Sequence, residues 1–233
     1  MEPLPVIPDR VPVFPLQDQV VFPFMVLPVY VRKDEMPLLD EAFSERHLIG
    51  MFRRSGEDRS EDIQDVGTAC RIKQLVKFPE GGCKLTVEGL KRVRLVHLVR
   101  EQPFMVGRIE VLEEKPGRSL VSEALVQSVN TLIKIAMANG RPLPGDVMKM
   151  IDRIEEPGRL ADLVTVYLAL PSNEQQRMLE HLDPLERLKE AYILLSDEVQ
   201  KLQVRGDVQN EVSRRMGESQ KEFILREQLK EIQ

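Results

Sequence analysis

Residues 66–78, VGTACRIKQLVKF, and residues 83–96, CKLTVEGLKRVRLV, stand either side of PEGG at 79–82. Pro and two Gly mark a turn, and the alternating β-branched arms mark strands. A four-residue loop pairs Phe78 with Cys83 and Lys73 with Glu88. One face then carries Cys70, Ile72, Val76, Phe78, Cys83, Leu85 and Val87. The other carries Arg71, Lys73, Lys77, Lys84, Thr86, Glu88 and Arg92. That split is what a half-buried antiparallel sheet demands. Gly89 falls where a bulge bends the long arm of a curled sheet. The basic strip KRVRLVHLVR at 91–100 reads as the wet face of the same strand.

Outward from the hairpin, the first half of the chain is β. Val11 to Leu16 is a strand, and a proline-broken bend around Pro23 leads to a second from Val26 to Val31. Pro28 places that strand at an edge or bulge, because proline cannot donate to a ladder. Met36, Leu39 and Phe43 give Lys33 to Arg46 a helical period. His47 to Arg53 and Phe104 to Leu112 complete the strands. SGEDRSEDIQ at 55–64 is a polar loop, and EEKPGRS at 113–119 is a charged linker.

The second half is helical. Leu120 to Ala138 ends at Asn139-Gly140, a short helix follows Pro144, and another runs from about Arg159 to Leu170. Ser172 with Gln175 has a capping-box pattern. Asp183-Pro184-Leu185-Glu186 is a stronger start, with a capping carboxylate and a first-turn proline. Gly206-Asp207 permits a break; the alternative is one curved helix. The last stretch, EVSRRMGESQKEFILREQLKEIQ at 211–233, keeps helical spacing with no stop signal. It reads as the front part of a longer protein. Val208, Val212, Met216 and Phe223 share one face of it, while Leu225, Leu229 and Ile232 lie on another. Two stripes on one straight helix call for two partners, although a plain linker helix with scattered apolar residues fits the same pattern.

Composition narrows function. Trp is absent and aromatics are 5% of the chain, so the core is built from Val, Leu, Ile and ten Met. A net charge of −5 argues against nucleic acid as the main partner. Cys70 and Cys83 stand alone, without a CxxC or a second pair for zinc, and read as reduced thiols. No signal peptide is evident, and no apolar stretch approaches membrane-spanning length, so the expected compartment is the cytoplasm, with no membrane partner. No GxxxxGK[ST], HExxH, GxSxG or GxGxxG occurs. His47, His97 and His181 fall in separate elements, and EDRSED lies in a loop without a frame. No cofactor, metal site or catalytic constellation is expected.

What remains is apolar surface. VVFPFMVLP sets Phe22, Pro23, Phe24 and Met25 around a bend. Aromatic area and adaptable Met suit the capture of extended apolar peptide. The same side chains can instead tuck beneath the sheet.

Three stretches resemble one family. VPVFPLQDQVVFPFMVLPVYV at 11–31 is similar to the opening of the N-terminal domain of Lon, the ATP-dependent protease. IEEPGRLADLVTVYL at 154–168 resembles the DPxxLAD helix of that domain. RRMGESQKEFILREQLKEIQ at 214–233 resembles the helix leading to the ATPase module. Phe223-Ile224 replaces the usual pair of tyrosines, and Gly217 sits inside the helix. The resemblance implies an α+β fold: a PUA-like β-rich lobe over 1–115, a helical bundle lobe over 119–204, and a long helix over 207–233. It implies that ATP, Mg and a Ser–Lys peptidase belong to parts not in this sequence, and that the intact enzyme is a homohexamer. The expected role is engagement of unfolded or degron-bearing proteins through Phe22, Pro23, Phe24 and Met25, with Met216, Phe223 and Ile224 on the last helix. The competing expectation is a purely architectural spacer or oligomerisation module that never touches substrate. A stand-alone small-ligand or RNA-binding PUA-like protein fits the acidic balance and the tail less well.

Overall fold

An 18-residue strand organises the first half of the chain. In the computed structural model, which describes residues 5–44, 47–56, 62–115, 119–143 and 145–232, with no side chains described at 40–41, 43–44, 146, 217–219 and 221–232, that strand is β5, Cys83–Arg100. The others are β1 (Arg10–Gln17), β2 (Val26–Val31), β3 (Leu48–Arg54), β4 (Val66–Lys77) and β6 (Val106–Val111). The sheet order is β2-β5-β4-β3-β1-β6, and β6 pairs again with β5. The first half of β5 holds β2, and its second half closes the sheet onto β6. β1 and β3 run parallel; the remaining pairs are antiparallel. β2 is the edge strand that Pro28 predicts. A 3-10 turn, Lys33–Glu35, leads into α1, Met36–Ser44, which buries Leu38, Leu39 and Ala42 against the sheet.

The hairpin forms with a different register. Lys77, not Phe78, pairs with Cys83, and Arg71, not Lys73, pairs with Glu88. The register shifts between Ile72 and Gln74, which leaves Lys73 as an extra residue and inverts the alternation beyond it. Leu75 therefore faces Leu85, while Val76 and Phe78 are exposed at 47% and 40%. Cys70, Ile72, Cys83, Leu85 and Val87 are buried as the alternation requires. Lys73 and Lys77 are exposed, and Lys84 and Glu88 are half-buried. Burial pushes the Glu88 carboxyl up, but Lys73 and Arg71 outweigh it and hold the carboxyl below its usual range.

The helices are α2 (Leu120–Ala138), α3 (Gly145–Ile151), α4 (Pro157–Tyr167), α5 (Ser172–Glu180) and α6 (Pro184–Ile232). α5 starts at Ser172 itself, so the cap falls one residue earlier than predicted, at Pro171, and Gln175 donates to the Leu170 carbonyl. Asp183 caps α6 by accepting from the backbone N–H groups of Leu185 and Glu186. α6 does not break at Gly206; its 49 residues form one helix. A Cβ at Gly206 would meet nothing, so the glycine costs only its propensity, about 1 kcal/mol. Leu188, Ala191, Leu195 and Val199 form the buried stripe of α6. α2 has the length and mean hydropathy, 1.2, of a spanning helix, contrary to expectation. Its Val126, Val129, Ile133 and Ala136 are buried in the helical core, which α4 and α6 complete.

That helical core also contains Val20, Phe22 and Val66 from the β lobe. The two lobes thus share apolar packing through the β1–β2 connection. Among the described residues Val199 is the last buried one of α6, and the helix continues for about 50 Å beyond it at 1.5 Å per residue.

Candidate functional site

The β1–β2 connection ends in a tight turn at Phe22-Pro23-Phe24-Met25. Pro23 presets the second turn position, and the Met25 N–H donates to the Phe22 carbonyl at 3.3 Å. The third position needs positive φ, and Phe24 occupies it at φ 66°. Glycine is the usual residue there, and a bulky aromatic is strained. The strain is held by β5: the Phe24 N–H donates to the Gly89 carbonyl and the Gly89 N–H to the Met25 carbonyl, both at 2.8 Å. A Cβ on Gly89 would stand 2.2 Å from the Phe22 carbonyl oxygen. Gly89 therefore permits backbone contact, and the bulge lies beside it, where Leu90 is skipped between the Cys70–Gly89 and Ala69–Lys91 pairs. Replacing Gly89 by Val should cost about 1–3 kcal/mol in urea unfolding. It should also remove amide-exchange protection at Phe24 and residue 89. Full protection in the variant would refute the close-approach account.

The turn presents its residues unequally. Phe22 is fully buried and anchors the turn, while Pro23, although largely buried, lines the two clefts beside Phe24. Phe24 is 50% exposed and Met25 is half-buried. Together they form one wall of an apolar cleft of about 410 Å³. Leu143, Val147 and Met150 form the far side, and Leu163, Val166 and Tyr167 of α4 line its base. Arg159 lies over the Phe24 ring, 4.9 Å from its centroid. A smaller cleft of about 150 Å³ opens on the other side of Phe24, beside Arg92 and Glu114.

Beneath the clefts lies a buried ion cluster that alternation misassigned. Arg92, placed on the wet face by the sequence, is only 3% exposed. Its guanidinium reaches Asp162 Oδ1 at 2.6 Å and Glu114 Oε1 at 2.7 Å, and its Nε donates to the Leu179 carbonyl at 2.9 Å. Arg187 of α6 reaches Glu114 at 2.7 Å and lies 3.0 Å from Asp162. Gly158 leaves the room, since a Cβ there would fall 2.5 Å from an Arg187 nitrogen. Burial pushes the Asp162 carboxyl up, while Arg92 and Arg187 pull it down. The cluster ties β5, the linker, α4 and α6 together across the lobe junction. Gln176 adds a bond from α5 to the Val66 carbonyl at 2.9 Å.

Of the remaining predicted residues, Met216 is the one whose side chain is described. Met216 is 69% exposed on the projecting part of α6 and lines neither cleft. The side chains of Phe223 and Ile224, and of Leu225, Leu229 and Ile232, lie outside the described residues. The α3–α4 wall was not anticipated. Its only signal was the EPGRLAD stretch, where Asp162 sits on a helix face otherwise made of core residues.

These features define an α+β module whose exposed feature is an apolar cleft between a sheet lobe and a helical lobe. The family model of the ATP-dependent protease La (LON) substrate-binding domain matches residues 10–197, and the chain belongs to that family. A Lon protease from Citrifermentans bemidjiense is 47% identical over 97% of this chain, and one from Aquifex aeolicus is 34% identical over 95%. The chain spans 29% of the length of each. The solved N-terminal domain of Mycobacterium avium complex Lon protease superposes with a TM-score of 0.68 at 24% identity, over 81% of this chain and 98% of that one. It shares the fold.

Proposed function

We propose that this chain is the substrate-engaging module of an ATP-dependent Lon-type protease of the cytoplasm, and that it holds apolar side chains of unfolded or degron-bearing proteins in the Phe24–Met25 cleft. The observation that carries this reading is the strained Phe24. A residue that costs stability at a glycine position, half-exposed beside an apolar cleft, is explained by function better than by packing. In this reading ATP, Mg and the Ser–Lys peptidase chemistry belong to other parts of the enzyme. A second role in assembly rests on a separate observation. Val204, Val208, Val212 and Met216 recur every fourth residue along α6, each 51–69% exposed. Such a stripe suits packing between copies in a homohexamer.

A photocrosslinking residue at Met150, on the cleft wall, should capture an unfolded model protein such as carboxymethylated casein. The same residue at Tyr30, on exposed edge strand β2, should not. Equal labelling at both positions, or crosslinks only between copies of the chain, would favour the architectural reading.

A further inference from the structure

Among the described residues, charge at the lobe junction is almost balanced, with one cation left over. Arg92 and Arg187 are matched by Asp162 and Glu114. Lys91 pairs with Glu113 at 3.5 Å. Arg159 lines both clefts, yet among the described residues its guanidinium has neither a carboxylate partner nor a hydrogen bond; its contact is the face of Phe24. Glu155 and Glu156, just before α4, are exposed and line neither cleft. In a chain of net charge −5, the cleft thus carries a positive charge unmatched among the described residues.

The geometry suits one kind of ligand. The cation–π contact with Phe24 uses no N–H donor of the guanidinium, and none of its five donors has an acceptor among the described residues. A planar donor fork held by an aromatic ring is preorganised for a carboxylate, and half-burial strengthens the pairing over one in open water. Asp162 does not satisfy it, because that carboxylate is already engaged by Arg92 and Arg187.

We propose that Arg159 sets the sequence preference of the cleft: it selects extended segments in which an aromatic or large aliphatic residue is flanked by Asp or Glu. This rests on the cleft reading above and adds to it the charge of the segment. Neutral apolar segments bind through the cleft alone, and a flanking Lys or Arg weakens them by like-charge repulsion.

The test uses fluorescently labelled peptides that share one Phe-Leu core and differ only in the flanking residue, Glu, Gln or Lys, with affinity read by anisotropy. The Glu peptide should bind about five- to tenfold more tightly than the Gln peptide, the gain of one charge-assisted pair. In Arg159→Gln the Glu and Gln peptides should become equal, and Arg159→Lys should restore part of the difference. Rising salt should shrink the preference in the unaltered chain. Equal binding of Glu and Gln peptides to the unaltered chain would overturn the charge preference while leaving the cleft reading standing. Equal preference in Arg159→Gln would assign the selection to another group. Failure of all three peptides to bind would sink the cleft reading, and this inference with it.

Discussion

Arg187→Met should destabilise the chain by about 3–5 kcal/mol, because it removes one cation from a buried cluster and leaves its carboxylates under-matched. The side chain of Arg187 is fully buried, and Met preserves much of its length, so lost charge dominates lost volume. Glu114 and Asp162 would then share Arg92 alone, and the His181 carbonyl would lose its donor. On a domain of this size the melting temperature should fall by roughly 10 °C. The deficit should depend on pH. Burial already pushes the Asp162 carboxyl above its ordinary value of 3.8, and loss of Arg187 pushes it further. A carboxyl raised in the native state binds more protons there than in the unfolded chain, so stability falls as pH rises through the raised interval. The deficit of the variant is therefore greatest at neutral pH and narrows as pH falls toward the ordinary carboxylate value. A loss below about 1 kcal/mol at neutral pH would mean that the shared apolar core holds the lobes together unaided.

The misassignment of Arg92 shows what alternation can and cannot report. Period two states that Arg92 and Val93 point to opposite sides of β5, which they do. It does not state which sides are dry. Both are buried, because the barrel interior covers Val93 while α4, α5 and α6 cover Arg92. Covering a strand with helices from more than 60 residues away is a tertiary event, invisible in a local window. The hairpin slip has a local cause. A bulge at Lys73 is coded by no Gly or Pro, so Val76 and Leu75 exchanged faces unannounced. Gly89 did announce its neighbouring bulge, and the Phe22–Met25 bend was legible from its proline. The cleft was half legible for the same reason: one wall is a contiguous motif, while the other is assembled from residues 143–167. At Gly206 helix-forming neighbours on both sides carried α6 through a residue that a cap-based reading treats as a stop.

Phe24→Gly combined with Met25→Ser should lower affinity for an unfolded protein by more than tenfold without weakening the fold. Phe24 is half-exposed and supplies apolar area that a bound segment would cover. Loss of about 100 Å² of apolar contact at 25 cal/mol per Å² is about 2.5 kcal/mol, comfortably above a tenfold change. Stability moves the other way for the backbone. Glycine accepts φ 66° without strain, which offsets the lost stacking with Arg159 and the partial exposure of Met25. The two effects separate binding from folding within a single variant: urea midpoints should stay close to those of the unaltered chain while substrate titrations shift. Restoring only residue 24 to Phe should recover most of the affinity, because the aromatic contributes the larger area and carries the Arg159 contact. A folded double variant that still binds casein with unchanged affinity would remove the turn from substrate contact. The exposed stripe on α6, with Val204, Val208, Val212 and Met216, would then be the next apolar surface to test for a binding role.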